Sequence, residues 1–375
     1  MDWIRGDEIG RGGFASINLA IPNNKLSPGL YLPPLMAIKS CDISDSATLR
    51  NEHEVLNRLG HCPKVVRCFG AARTVERGGT ELYNLLLEYA SGGSLVDEMK
   101  RRGGRLPEPD VRRHTRSVLE ALRHIHGQGF VHGDIKVQNI LVFPPADGGC
   151  GLAEVKVADF GLSKKREELL AAAASEDGGG RGGFEWRGTP LYMSPEAVNE
   201  NEYEAPSDVW ALGCAVVEMA TGRTAWTHTA GSDIYQLLIR IGVGDETPNI
   251  PQDMSDEGKD FLRKCFVKDP TMRWTAEMLL RHPFVSGGRE ATCEDALPRS
   301  QSPRSHFDFK SLDSFGGSSS MNTCAWGLPL EQSEFEWSLK ERIRSLSATG
   351  DAIPSWGEWE SNSCPWAYVR CQNGE

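Results

Sequence analysis

Asp134, Lys136 and Asn139 stand at offsets 0, +2 and +5 within the stretch His132-Gly133-Asp134-Ile135-Lys136-Val137-Gln138-Asn139, behind the apolar pair Phe130-Val131. A carboxylate at the first position can take a proton from a hydroxyl. An ammonium at the second can neutralise a transferring phosphoryl group, and an amide oxygen at the third can hold a divalent cation. A second acid, Asp159, opens Asp159-Phe160-Gly161 after the strand-like run Glu154-Val155-Lys156-Val157-Ala158, and Ser194-Pro195-Glu196 lies beyond it. Each motif alone is weak. An H-x-D-x-x-x-x-N match arises by chance in a long chain, and Asp-Phe-Gly reads equally well as a turn after a strand. The three together, in this order and with these gaps, point to phosphoryl transfer.

Such chemistry needs a cradle for phosphates, and one stands at the start of the chain. In Gly10-Arg11-Gly12-Gly13-Phe14-Ala15-Ser16-Ile17, glycines let backbone N–H groups close over phosphates where a Cβ would obstruct them. A lone G-x-G is more often a tight hairpin, but here Ala37-Ile38-Lys39 follows on an apolar run. A lysine between apolar neighbours is costly unless paired, so Lys39 is assigned to the α- and β-phosphates with a helical acid as its partner. Glu52 and Glu54 compete for that place. Glu52 stands four residues before Leu56 and shares its inward face, whereas Glu54 reads as a solvated charge.

The elements that must hold these residues follow from periodicity. Strand-like alternation covers 3–20, a loop covers 22–34, and buried or alternating strands are predicted at 35–39, 65–69 and 83–89. Residues 46–59 have helical spacing, so the first 90 residues are mostly sheet with one helix. Beyond Gly92-Gly93 the pattern turns helical: a long helix through Val111, Val118, Leu122 and Ile125 to Gly127, then helices at 207–221, 233–241, 255–265 and 275–280, with Ser255 and Thr275 as N-caps. Gly178–Gly183 reads as a flexible insert. Glu196 and Arg273 are expected to form a buried ion pair, and Asp208-Val209-Trp210 to start a central helix whose carboxylate caps the loop around Asp134.

The net charge of −11 argues against a nucleic-acid partner. No apolar leader is visible, and the most apolar run, 209–217, reaches Glu218 too soon to span a bilayer. Ten cysteines contain no C-x-x-C, which suggests neither a zinc cage nor a disulfide framework. A soluble, reduced, intracellular protein is expected, in the cytoplasm and also the nucleus. From residue 286 the composition shifts to Ser, Gly and isolated Trp, and 286–375 is read as a largely disordered regulatory tail. Within it Phe335, Leu339, Ile343 and Leu346 fall on one helical face between Glu331 and Ser347, either a transient helix or a docking segment for a regulator or for the rest of the chain. Ser345 and Ser347 lie beside Arg342 and Arg344 in an R-x-x-S pattern on which another kinase could act.

Across 3–285 the chain resembles the eukaryotic protein kinase family. More narrowly, Trp3-Ile4-Arg5-Gly6, the 187–193 stretch and Arg273-Trp274-Thr275-Ala276 look like plant MEKK-like mitogen-activated protein (MAP) kinase kinase kinases, in particular their short single-domain subgroup. The resemblance implies an α+β, two-lobed protein kinase fold, with a small β-rich lobe at 3–90 and a larger helical lobe at 91–285. It implies ATP and Mg²⁺ as cofactors and a MAP kinase kinase as substrate, in stress or abscisic-acid signalling. Asp134 becomes the base, Asp159 the principal metal ligand and Asn139 the second. Lys136 marks Ser/Thr specificity, supported by Gly188-Thr189-Pro190, in which Thr189 braces the catalytic loop. Leu87 gates an adenine pocket that Ile9, Ala37, Glu88, Ala90 and Leu141 line, beside the glycine-loop residues 10–17. His132 is read as a packed structural histidine.

This sequence departs from the family pattern at Ala15 and Ser194, which replace Gly and Ala, and at Gly133, which replaces an Arg. The third departure carries a regulatory expectation. An Arg before the catalytic Asp lies uncompensated until a phosphorylated loop residue pairs with it, and Gly133 has no such charge. Between Gly161 and Gly188 the only hydroxyls are Ser163 and Ser175, and Ser175 adjoins Glu176-Asp177. Activity without loop phosphorylation is therefore expected. A kinase of another branch that also lacks this Arg, and an inactive scaffold, remain the alternatives.

Overall fold

Alternating burial along Trp3–Arg11 (β1) and Ser16–Pro22 (β2) marks strands with one face inward, while Met36–Asp42 (β3) is buried along nearly its whole length. With Cys68–Val75 (β4) and Glu81–Glu88 (β5) they form an antiparallel sheet in the order β1-β2-β3-β5-β4. The computed structural model describes residues 3–12, 15–22, 32–76, 78–145, 152–165, 186–227 and 234–287. Gly13, Phe14, most of the 22–34 loop, Ser175, the 178–183 insert and the tail with its 331–347 segment lie outside the described residues.

One helix, Ala47–Leu59 (α1), lies against this sheet with Leu49, Glu52, Val55, Leu56 and Leu59 inward. The rest is mainly helical: Leu95–Arg101 (α2), Glu108–Gly127 (α3), Pro195–Asn199 (α4), Ala205–Thr221 (α5), Ile234–Gly242 (α6), Asp256–Cys265 (α7), Ala276–Leu279 (α8) and Pro283–Ser286 (α9). Between α3 and α4 run the short strands Phe130–Val131 (β6), Ile140–Phe143 (β7), Glu154–Val157 (β8) and Lys164–Lys165 (β9), paired β6 with β9 and β7 with β8. Helix α5 is buried on nearly every face, as its near-continuous apolar sequence requires. Among the described residues no helix is long and apolar enough to cross a membrane.

Several expectations shift. The strand predicted at 65–69 is a single bridge from Val65 to Val157, and the true strand β4 begins at Cys68 because its partners run from Leu87 back to Glu81. The central helix starts at Ala205, three residues ahead of Asp208, with Pro206 in its first turn. Helix α2 is not foreseen at all. Its signal is the capping box in which Ser94 Oγ accepts from the Asp97 N–H and the Asp97 carboxylate accepts from the Ser94 N–H. Ser255 and Thr275 cap α7 and α8 through the N–H groups of Gly258 and Met278.

Candidate active site

Lys39 points into the interior from β3 and donates to Glu52 Oε2 at 2.8 Å and to Asp159 Oδ1 at 2.9 Å. Helical spacing brings Glu52 there. It is fully buried on α1, while Glu54 faces outward and pairs with Arg58 one turn on. Burial alone would strip the proton from Lys39, but the charges of Asp159 and Glu52 outweigh it and hold the ammonium above its ordinary value. One cation between two carboxylates cannot satisfy both equally. Burial pushes Glu52 above the usual carboxylate range, whereas Lys39 overcomes the burial of Asp159 and holds it below.

Asp159 adopts a left-handed backbone, φ 67°, a strained conformation for a non-glycine residue outside any turn glycine. Its neighbours hold it there. The Phe160 N–H donates to Glu52 Oε1 at 3.3 Å, and the Phe160 ring meets His132 edge-on with centroids 4.8 Å apart. His132 is wholly buried, and burial lowers its pKa. Its Nδ1 lies 3.2 Å from the Asp134 N–H and its Nε2 3.1 Å from Ala158 O, so the neutral ring donates from Nε2 and accepts at Nδ1. That is a structural histidine.

The loop itself is pinned from below. Asp208, in the first turn of α5, accepts from the N–H groups of His132 and Gly133, each at 2.9 Å, and His126 Nε2 lies 2.8 Å from the same carboxylate. Gly133 has φ 78°, which glycine adopts without strain. Around Asp134 the polar side chains converge. Thr189 Oγ1 donates to Asp134 Oδ1 at 2.8 Å, and Lys136 Nζ lies 2.8 Å from Asp134 Oδ2 and 2.9 Å from Thr189 Oγ1. Asn139 Nδ2 donates to Asp134 Oδ2 at 3.0 Å and to the Asp134 carbonyl at 2.9 Å. This turns Asn139 Oδ1 away from Asp134. That oxygen is buried and finds no hydrogen-bond partner among the described residues. An oriented amide oxygen and a carboxylate held ionised at Asp159 suit a hard divalent cation completed by phosphate oxygens.

The glycine loop is the β1–β2 turn. Gly10 pairs with Ile17 and Arg11 with Ser16, and the Gly12 N–H donates to Ala15 O at 2.8 Å. Ile9 and Ala15 pack partly buried against the main core, while Arg11 turns out to Glu8. Ala37 opposes Leu87 across β3 and β5, and both are fully buried, as is Leu141 on β7. Ala90 is buried just past β5. The Glu88 side chain is taken by Lys156 Nζ at 2.6 Å and by the Arg67 N–H at 3.2 Å. Lys156 is one residue that sequence reasoning misses, and Asn51 is another: its side-chain amide reaches the carbonyls of Gly161 and Ser163. Neither carries a local signal, because each contact joins distant stretches of chain.

Glu196 and Arg273 meet in a two-pronged pair, Nη1 to Oε1 at 2.6 Å and Nη2 to Oε2 at 3.0 Å. Arg273 also donates to the carbonyls of Val267, Pro206 and Lys268, and Ser207 Oγ donates to Glu196 Oε1. The pair ties the start of α4 to the segment before α8.

Known proteins resemble this chain along much of its length. The protein kinase domain model matches residues 3–285. The chain is 48% identical to mitogen-activated protein kinase kinase kinase 20 of Arabidopsis thaliana over 371 residues, covering 96% of this chain and 99% of that one. It is 33% identical to kinase kinase kinase 18 of the same plant, covering 99% of each, and 35% identical to number 17, covering 76% of this chain and 70% of the relative. A match along nearly the whole length extends the likeness beyond the catalytic region. The chain therefore belongs to the protein kinase family, as a serine/threonine kinase of the MAP kinase kinase kinase type.

Proposed function

We propose that this kinase phosphorylates a MAP kinase kinase on serine or threonine with Mg·ATP, and that it acts in plant stress or abscisic-acid signalling in cytoplasm and nucleus. The observation that carries the reading is the set of contacts converging on Asp134 from Thr189, Lys136 and Asn139. Asp134 accepts the substrate hydroxyl proton, and Lys136, already beside it, offsets charge on the transferring group. Lys39, fixed by Glu52, meets the α- and β-phosphates. Asp159 and Asn139 would hold Mg²⁺, which supplies charge neutralisation on the phosphates. The backbone of 10–17 covers the nucleotide, and Ile9, Ala37, Leu87, Glu88, Ala90 and Leu141 enclose its base. Residues 3–90 and 91–285 form the two lobes, and 286–375 serves as a tail for a regulatory partner. The names of the relatives support the substrate class. The test is a panel of catalytically inactive MAP kinase kinases offered to the purified chain, with Asp134→Asn as control. Transfer to generic protein but to no panel member would overturn the substrate assignment.

Loop phosphorylation should be dispensable. Ser163 is fully buried and its hydroxyl donates to the His132 carbonyl at 3.0 Å, so a phosphate there has no room. Thr189 is engaged with Asp134. Phosphatase treatment of the purified enzyme, and separately Ser175→Ala, should leave activity within about three-fold, less than the ~0.7 kcal/mol that such a factor represents. Near-complete loss in either experiment would show that a loop phosphate is required.

A further inference from the structure

The metal-side segment after Asp159 needs an anchor, and Gly133 offers no charge to supply one. The turn of α1 that carries Glu52 supplies neutral ones. Asn51 Nδ2 donates to the carbonyls of Ser163 at 2.9 Å and Gly161 at 3.0 Å, with Phe160 O at 3.4 Å. Three acceptors on one side fix which end of the amide faces them. Gly161 lies so close to the same turn that a Cβ on it would come within 2.5 Å of the Thr48 methyl. Thr48, Asn51 and Glu52 are spaced at i, i+3 and i+4, so a single helical face holds the backbone from 160 to 163.

We propose that Asn51 is a positioning residue for phosphoryl transfer: a neutral latch that holds the 160–163 backbone against α1, and with it keeps Asp159 in register with Lys39 and Glu52. The left-handed backbone at Asp159 persists only while its surroundings over-determine it. Glu52 grips one N–H of the following residue, and the Lys39 ion pair acts on the side chain of Asp159. Asn51 alone among these grips carbonyls on both sides of Gly161. Beyond it, Ser163 Oγ and the β6–β9 pairing, Phe130 with Lys165 and Val131 with Lys164, continue the same anchoring to the catalytic loop. No step of this chain of contacts uses a phosphate.

The inference rests on Asp159 carrying the metal, and its test separates the two. Asn51→Asp is nearly isosteric but turns an oxygen toward carbonyl oxygens, and Asn51→Ala removes the donors without repulsion. In the full chain, both should lower kcat by about ten-fold or more, the Asp variant further, because each lost or reversed hydrogen bond weakens the hold. The KM for the protein substrate should stay within about two-fold, since Asn51 engages the 160–163 backbone and not the side chains gathered around Asp134. Without nucleotide or metal, amide exchange at 160–165 should accelerate about ten-fold while the core of α5 keeps its protection. Asn51→Gln, which retains the donors at greater reach, should recover part of the loss. Parent-like kcat and parent-like exchange in Asn51→Asp would overturn the latch. An unchanged exchange pattern with lowered kcat would also overturn it, since the loss would then arise without loosening. A parent enzyme inactive on every substrate would instead sink the assigned chemistry, and the exchange measurement would still decide the latch.

Discussion

Asp159→Asn should lower kcat by at least about 10²-fold while leaving the fold intact. Asparagine tolerates the left-handed backbone found at this position, so the substitution isolates the charge from the strain that alanine would add. What is lost is one of two carboxylates around Lys39, the one held ionised by that lysine. Lys39 would remain paired to Glu52, so the contact proposed for it with the nucleotide phosphates should survive. A loose transition state depends on positioned charge more than on covalent help, so the rate should fall far more than the affinity for nucleotide. Asp134→Asn provides the companion measurement. It keeps the size of the side chain that Thr189, Lys136 and Asn139 surround, but it exchanges one of two accepting oxygens for a donor and cannot take the substrate proton. Steady-state kinetics with melting curves on both variants would decide. If Asp159→Asn works at the parental rate with an unchanged melting curve, the metal assignment is wrong.

Arg273→Ala should cost about 3–5 kcal/mol of stability. The guanidinium is fully buried, holds Glu196 with both forks and satisfies three carbonyls, and its face lies 5.1 Å from the Trp210 ring. Truncation strands the Glu196 carboxylate with Ser207 as its remaining donor and opens a hole against α5. Adding Glu196→Gln to the variant removes the stranded charge and should recover part of the loss. Urea unfolding would show it as a lower midpoint at constant slope. A loss below about 1 kcal/mol would mean the pair contributes no more than an exposed one.

Local pattern made much of this legible. The inward face of α1 could be read from four-residue spacing, which is why Glu52 and not Glu54 is buried. Ser255 and Thr275 announced their helices because a cap depends on a side chain and a backbone N–H three residues away. Pro206, placed one residue inside the start of α5, carries the boundary that a reading from Asp208 misses. What stayed hidden has no local period. Asn51 meets Gly161 across 110 residues and Lys156 meets Glu88 across 68, and no spacing rule reaches that far. The register of β4 was equally out of reach, since its start is set by β5 and a bulge after Cys68.

Gly133 also bears on time. A loop held by glycine geometry, Asp208 and neutral hydrogen bonds has no charged latch that an opposing enzyme could unmake. If loop phosphorylation is dispensable, the folded molecule should be active until a partner of its tail or a protease stops it, and its signal should then track the amount of polypeptide. The rise of the response would then be set by synthesis and its decay by proteolysis. In a cascade, this makes the lifetime of the chain the clock of the pathway's uppermost step.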